Sequence, residues 1–328
     1  MAGKTGLEHS MNLHEDKDAF LELVQATAQK AKLPEIYVEK DYWVTNVLRN
    51  LASSDLSHTV VFKGGTSLSK AHKLVERFSE DIDLAVIDLS QSGNQKRGLL
   101  KNIETVAAKG LTQIKDDLRI SKRSRIRKTV WRYPRVVNDQ NFGQASSNLL
   151  IEVAAFVEPQ PNMVMTLESI IAEELVNLGR NDLIDIHGLE SFEINVLAVE
   201  RTLTEKILFL AMKSYDQDPI SRLSTGIRHL YDINKILKQG KFRDFIFGQE
   251  FPVLVDACLV QEADCFGKEE WHDQPLGHAP IFEKIDEWAP SLKTAYTGEF
   301  EDMVYGDLPG FGGVVDSVKL IRDSLKLC

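Results

Sequence analysis

The segment Asp81–Val86 limits the fold of this chain more than any other stretch, because its first four residues alternate acidic and apolar side chains. A period of two is that of a β-strand, so Asp81 and Asp83 should share one face while Ile82 and Leu84 share the other. The chain must therefore build a sheet that buries one face and presents two carboxylates on the opposite face.

A second motif lies just upstream of this strand. The β-branched run Thr59–Phe62 leads into Gly64-Gly65, which predicts a buried strand, a tight turn and then a helix. Small residues let backbone N–H groups approach phosphate oxygens at the start of a helix. We therefore expect the turn formed by Gly64, Gly65, Thr66 and Ser67 to bind phosphate, with the Ser67 hydroxyl contributing.

The two aspartates are suited to a divalent metal. Their Cα atoms should lie roughly 6 to 7 Å apart, so the carboxylates can converge on a pair of ions. Glu152, the lone acid of the apolar segment 148–157, is the expected third ligand. Hard oxygen ligands favour Mg²⁺, with Mn²⁺ as an alternative. In the other interpretation, Glu152 pairs with an arginine of the sheet.

The remaining periodicity predicts an α+β protein. The early helices are followed by a helix over residues 95–117, strands over 125–133 and 148–157, and a helix over 164–178. Further on we expect a strand over 191–199 and helices over 203–213 and 227–237. A length of 328 residues with 43% hydrophobic content allows two cores, so we expect one domain over residues 1–160 and a mainly helical one over 161–328.

Composition indicates the cellular compartment and the state of the cysteines. The apolar stretches are too short for a membrane span, and the polar N-terminus lacks a signal region, which predicts a cytoplasmic protein with no membrane partner. The cysteines Cys258, Cys265 and Cys328 form no C-x-x-C pair and are expected to be reduced thiols.

The stretch from residue 121 to residue 135 is strongly basic, although the chain as a whole has a net charge of -10. It contains no acidic residue and seven basic ones: Lys122, Arg123, Arg125, Arg127, Lys128, Arg132 and Arg135. We expect these cations to contact RNA, with Trp131 and Tyr133 stacking on unpaired bases. In the other interpretation, alternate strand residues such as Arg125 and Arg127 simply face water.

Five stretches together resemble the AbiEii/AbiGii family of nucleotidyltransferase toxins, known from abortive-infection and toxin–antitoxin systems. They are residues 39–45 (EKDYWVT), 62–70 (FKGGTSLSK), 77–84 (RFSEDIDL), 200–206 (ERTLTEK) and 228–233 (RHLYDI). The resemblance spans about residues 36 to 237 and implies a DNA-polymerase-β-like mixed sheet with flanking helices. It also implies transfer of nucleotides from a nucleoside triphosphate to tRNA 3′ ends, opposed by a cognate antitoxin.

The resemblance also assigns roles to single residues. It makes Asp81 and Asp83 metal ligands, Ser67 the phosphate-turn serine, Lys206 a nucleotide-contacting lysine and Asp232 the acid of a later helix. The matched stretches further contain the nucleotide-binding candidates Lys63, Arg77 and Arg228. From the residues alone, Lys206 could be an exposed helix lysine, Arg228 and Asp232 an i,i+4 ion pair, and His229 a structural or surface residue.

Other functions remain open from the sequence. The same metal site could modify a small hydroxylated molecule or a protein side chain, since it does not define the acceptor. A metal-dependent glycosyltransferase also uses Asp-x-Asp, although the Gly-Gly-Thr-Ser turn argues against it. A nucleotide-binding module without catalysis is the third alternative.

Overall fold

The computed structural model describes residues 11–79, 81–87, 89–90, 92–137 and 148–327. Within these ranges eight strands form one sheet. The strands are β1 (Val60–Lys63), β2 (Asp81–Val86), β3 (Thr112–Ile114), β4 (Ser121–Lys122), β5 (Ile126–Arg132), β6 (Leu149–Ala154), β7 (Asn162–Leu167) and β8 (Phe192–Leu197).

Fourteen α-helices occur in the same described ranges. They are α1 (Lys17–Ala31), α2 (Glu35–Ala52), α3 (Gly64–Lys70), α4 (Gly93–Ala107), α5 (Ile170–Asn177), α6 (Asn181–His187), α7 (Val199–Ser214), α8 (Pro219–Thr225), α9 (Ile227–Leu237), α10 (Gly240–Ile246), α11 (Glu250–Phe266), α12 (Pro280–Glu283), α13 (Ile285–Tyr296) and α14 (Phe311–Leu325).

The sheet is mixed, in the order β3-β5-β6-β2-β1-β8-β7, with β4 paired to β5. Strand β2 lies at its centre, antiparallel to β1 and parallel to β6. Ile82, Leu84 and Val86 of β2 are buried in a core shared with α1, α2, α4 and α5. The alternation in the sequence thus has its expected effect, because Asp81 and Asp83 are left on the uncovered face.

A second core is built from the helices after β8. It contains apolar residues of α7, α9, α11, α13 and α14, together with Leu68 and Val75 from the segment between β1 and β2. The chain is therefore an α+β protein with a mixed sheet and a mainly helical C-terminal half, as the sequence predicts.

Strands β7 and β8 belong to the same sheet as β1 and β2, although both follow residue 160. A domain boundary after residue 160 would cut through this sheet. The second core begins at Val199 apart from its two residues near α3. We therefore propose that the division between domains falls after β8.

Two predicted helices were wrong in part. The segment 164–178 is not one helix, because β7 extends to Leu167 and α5 begins at Ile170. The helix predicted over 95–117 ends at Ala107 and is followed by β3. The described residues contain no helix long and apolar enough to cross a membrane.

Candidate active site

Four charged residues lie in one row across the uncovered face of the sheet. Lys63 of β1 is opposite Asp83 of β2, Asp83 is opposite Glu152 of β6, and Glu152 is opposite Lys128 of β5. Residues in register on neighbouring strands point to the same face and are separated by about 4.8 Å between strands. The row therefore places two carboxylates side by side between two lysines.

The lysines at the ends of the row are paired. Lys128 Nζ lies 3.3 Å from Glu152 Oε2, and Lys63 Nζ lies 2.9 Å from Glu205 Oε2 of α7. Glu152 thus does have a cation in the sheet, but this is a lysine and not the arginine considered from sequence. Asp83 faces the cleft between these pairs.

The carboxyl group of Asp83 has an unusual acidity. Burial, followed by the negative charges of Asp81 and Glu152, raises its pKa from 3.8 to about 7. Three crowded oxygen-bearing acids are a donor set that suits a hard divalent cation, which would relieve this repulsion.

The side chains of Asp81, Asp83 and Glu152 do not surround a single point. Among the residues that the structure describes, no three His, Cys, Asp or Glu side chains converge closely enough to hold a metal by themselves. A metal at this face would take its remaining ligands from water and from the phosphates of a bound substrate, as Mg²⁺ commonly does.

The two glycines of the turn allow close contacts that no other residue would permit. A Cβ on Gly64, whose φ is +80°, would lie 2.1 Å from Asp83 Oδ2. A Cβ on Gly65 would lie 2.3 Å from Arg77 Nη2. The turn thus packs directly against one carboxylate of β2 and against a guanidinium.

The Ser67 hydroxyl, which was expected to contribute to phosphate binding, and the Thr66 hydroxyl both donate within the protein. Both are buried, the Thr66 hydroxyl donates to the Asp81 carbonyl, and the Ser67 hydroxyl donates to the Gly64 carbonyl at 2.9 Å. The Thr66 hydroxyl thus ties the turn to β2, and the Ser67 hydroxyl closes the turn on itself, whereas Gly64, Gly65 and Lys63 line the cleft.

A buried ion cluster lies beside the turn and joins the sheet to the helices. Asp232 of α9 accepts hydrogen bonds from Arg77 Nε at 2.6 Å and Arg77 Nη2 at 2.7 Å, and Lys206 Nζ of α7 lies 2.8 Å from Asp232 Oδ2. The exposed fractions of the three side chains are 2%, 0% and 7%, in the order Arg77, Asp232, Lys206. Lys206 is thus not an exposed helix lysine.

The electrostatics of this cluster follow from its contacts. Burial alone would raise the pKa of Asp232, but the charges of Arg77 and Lys206 outweigh burial and hold that pKa well below its usual range. The pKa of Lys206 is lowered because burial outweighs the attraction of Asp232. Asp232 therefore positions two cations instead of facing the cleft, and its described partners do not include Arg228.

The row and the cluster face each other across a cleft of about 570 Å³. The sequence candidates that line it are Lys63, Gly64, Gly65, Arg77, Asp81, Asp83, Glu152, Lys206 and Arg228. Thr66, Ser67 and Asp232 lie behind its wall. The strand side of the cleft therefore carries three acids, Asp81, Asp83 and Glu152, next to Lys63. The opposite side carries three cations, Arg77, Lys206 and Arg228, next to Glu205.

Several lining residues were not identified from sequence. They are Ser79, Thr202, Glu205, Phe209, His229 and Met303. His229 Nδ1 lies 3.3 Å from Lys206 Nζ, and burial followed by the nearby positive charge of Lys206 lowers the His229 pKa well below 6.5. Its position four residues before Ile233 on an amphipathic helix gave no signal that separates it from a surface histidine.

The basic stretch is divided by the fold. Arg127 is largely buried and paired with Glu104 of α4, and Lys128 is paired with Glu152. Arg132 lies at the opposite end of β5 from Ile126, roughly 20 Å away at strand rise. The seven cations therefore do not form one surface, and only Arg123 and Arg125 line a groove beside the cleft.

The two aromatic residues that were expected to stack on RNA bases pack in or against the core. The Tyr133 ring is buried and stacked on Trp43, with centroids 5.9 Å apart, so it belongs to the core. Trp131 packs against the same core and donates from Nε1 to Thr129 Oγ1 at 2.9 Å. Cys258 and Cys265 are free thiols, whereas Cys328 lies outside the described residues.

A cleft with a glycine turn, strand carboxylates and buried cations defines a class of protein, the nucleotidyltransferases, and comparison with known families agrees. A family model described as "Nucleotidyl transferase AbiEii toxin, Type IV TA system" matches residues 46–317. This chain belongs to that family of nucleotidyltransferase toxins of type IV toxin–antitoxin systems.

No curated protein matches the chain. Among solved structures, the chain is similar to MenT4, a nucleotidyltransferase toxin from Mycobacterium tuberculosis H37Rv, with 14% identity and a TM-score of 0.41. That match covers 93% of this chain and 98% of the other.

Proposed function

We propose that this protein transfers a nucleoside monophosphate from a nucleoside triphosphate to the 3′ end of an RNA, and that the RNA is tRNA. The observation that supports this most is a single cleft with three acids of the sheet on one side and the cations Arg77, Lys206 and Arg228 on the other. Acids on one side suit the metal and the attacking hydroxyl, whereas cations on the other side suit a triphosphate.

The triphosphate is assigned to the helix side. Lys206 and Arg77 are held in place by Asp232, and Arg228 is exposed on α9 beside them. Cations fixed by a buried acid lose little side-chain entropy on meeting a phosphate, so they bind it with less cost than mobile surface lysines. The amides of Gly64 and Gly65 add uncharged donors next to them.

The reaction takes place at the strand side. The 3′ hydroxyl oxygen of the acceptor bonds to the α-phosphorus, the bond from that phosphorus to the β-phosphate bridging oxygen breaks, and pyrophosphate and a proton leave. Asp81, Asp83 and Glu152 would hold Mg²⁺, which neutralises phosphate charge and lowers the pKa of the attacking hydroxyl when bound.

The biological consequence proposed here is a block of growth. A tRNA with an altered 3′ end is not a substrate for aminoacylation, so uncontrolled transfer in the cytoplasm would stop translation. The family implies an antitoxin that opposes this effect.

Labelling of RNA before and after removal of its 3′ diol tests the acceptor. Purified protein is incubated with Mg²⁺, each α-labelled nucleoside triphosphate, and either native or periodate-oxidised tRNA. We expect label on native tRNA and none on oxidised tRNA. Label on the protein itself, or on a small molecule of a lysate, would replace RNA by another hydroxyl acceptor.

A further inference from the structure

A second groove opens from the carboxylate end of the cleft. It has a volume of about 690 Å³ and shares Lys63, Asp83 and Glu152 with the cleft. Its outer part is lined by Arg123, Arg125, Phe156, Cys265 and Phe266, which we call the aromatic groove. A molecule lying there would reach the acids without crossing the cations of α7 and α9.

The aromatic groove is formed by the continuation of β6. Glu152 lies on this strand, and Phe156 follows four residues later, at most about 13 Å farther along at strand rise. Phe156 and Phe266 pack against each other with ring centroids 4.9 Å apart and planes tilted by 46°. The rings thus stand within one or two nucleotides of the acids.

The far wall of the groove is fixed to the sheet. Cys265, near the end of α11, donates from Sγ to the Phe156 carbonyl at 2.8 Å. The next residue, Phe266, is 60% exposed and ends the helix. One face of this ring packs on Phe156, and its exposed part offers a stacking surface beside the polar cleft.

Two cations border the rings. Arg123 and Arg125 are exposed, and the ion pairs of the described residues include neither of them. Arg125 lies close enough to Cys265 to influence the pKa of that thiol. Exposed guanidinium groups beside an exposed ring, here that of Phe266, are the combination that binds a single-stranded nucleic acid, through its phosphates and bases together.

The two ends of the cleft therefore differ in what they can bind. At the other end, Arg228 and Met303 connect the cleft to a groove of about 570 Å³ lined mostly by hydroxyl and small side chains. That end adjoins the cations assigned to triphosphate, so the carboxylate end remains for the attacking strand.

We propose that the aromatic groove binds the unpaired 3′-terminal nucleotides of an RNA acceptor, with a base stacked on Phe266 and Phe156 and the phosphates beside Arg123 and Arg125. This inference rests on the proposed function and adds the place and the mode of acceptor binding. It predicts that acceptor affinity and nucleotide affinity depend on different residues.

Steady-state transfer to tRNA tests the stacking. Phe266→Ala should raise the KM for tRNA by about 5- to 150-fold, the range expected for one lost stacked base, with the affinity for nucleoside triphosphate unchanged. Phe266→Trp should restore the KM, whereas Phe266→Leu, which keeps apolar volume without a π face, should not. Phe247→Ala, at another exposed phenylalanine, is the matched control and should behave as wild type.

The charged part has its own measurement. Arg123→Glu with Arg125→Glu should weaken RNA binding. It should also lower the slope of log Kd against log salt concentration by the amount expected for the loss of about one to two phosphate contacts. A KM for tRNA within twofold of wild type in Phe266→Ala, or an unchanged salt slope in the double variant, would overturn the aromatic groove while leaving RNA transfer intact. If the wild type labels no RNA, the proposed function fails and this inference fails with it.

Discussion

At the scale of single residues, Asp83 is the group on which the chemistry of the cleft depends. It contacts the glycine turn, lies beside Glu152 and has a pKa raised to about 7 by burial and by its acidic neighbours. A folded-state pKa above the unfolded value of 3.8 means that the folded protein gains from protonation of this acid. Its ionisation therefore costs stability, in full at pH values above about 7.

The variant Asp83→Asn should show this cost. In the absence of metal, we expect the variant to be more stable than wild type by about 1–3 kcal/mol near pH 8. The difference should shrink as pH falls and vanish below the unfolded pKa of 3.8, where Asp83 is protonated in both states. Urea denaturation over a range of pH measures it. Excess Mg²⁺ near pH 8 should stabilise the wild type more than the variant, and an equal effect on both would remove Asp83 from the metal site.

The pKa of Asp232 is shifted in the opposite direction from that of Asp83. Its pKa is held below the usual range by Arg77 and Lys206, so its stabilising effect is present above about pH 4 and is lost as pH falls through the folded-state pKa. The sequence identified Asp232 and Lys206 only through a family resemblance. The burial that makes them a pair comes from two helices and a loop far apart in the chain, and periodicity does not report it.

Removal of either partner separates stability from nucleotide binding. Asp232→Ala should cost about 3–5 kcal/mol, because it leaves two buried cations without their acid. Lys206→Ala should cost less, since Asp232 keeps its two hydrogen bonds from Arg77, but it should weaken nucleotide binding strongly. Urea denaturation and calorimetry on both variants distinguish these effects, and unchanged nucleotide affinity in Lys206→Ala would contradict our assignment of the triphosphate.

At the scale of secondary-structure elements, short-range patterns were reliable where one period dominates. The strand β2 and the helix α9 were predicted at or near their observed bounds, because the apolar residues of each recur at the spacing of its secondary structure. The prediction of one helix over 164–178 was wrong because the segment begins in β7. This edge strand has exposed Met163 and Val164, so its apolar residues do not alternate clearly. Only pairing with β8, a non-local contact, shows that it is a strand.

The glycine turn gives an element-scale prediction with a matched control. Gly64 and Gly110 both have positive φ, +80° and +85°, but a Cβ on Gly110 would meet no atom within 4 Å. Alanine at either position should cost about 1–2 kcal/mol through its backbone conformation. Only Gly64→Ala should also displace the Asp83 carboxylate and abolish transfer, whereas Gly110→Ala should keep wild-type activity.

Thermal unfolding and label transfer on the two variants decide the matter. Suppose that the two variants lose similar stability and that Gly64→Ala loses no more transfer activity than Gly110→Ala. The close contact between the turn and Asp83 would then have no catalytic importance.

At the scale of the whole molecule, the cleft lies where the two cores meet. The sheet supplies the acids, the helical core supplies Lys206 and Asp232, and the loop carrying Arg77 joins them. Sequence reasoning found most of the lining residues but expected the basic stretch to act as one patch. The fold instead used Arg127 and Lys128 in ion pairs with Glu104 and Glu152, and such long-range pairing is invisible in a run of like charges.

The central claim is that this cleft breaks the bond after the α-phosphate and transfers a nucleotide. The most direct measurement compares α-labelled and γ-labelled nucleoside triphosphate in parallel reactions with Mg²⁺ and total RNA, using wild type and Asp83→Asn. We predict that α-label enters RNA with the wild type alone, and that γ-label appears only in pyrophosphate. Stable transfer of γ-label to any acceptor, or α-label incorporation by Asp83→Asn at the wild-type rate, would contradict the account.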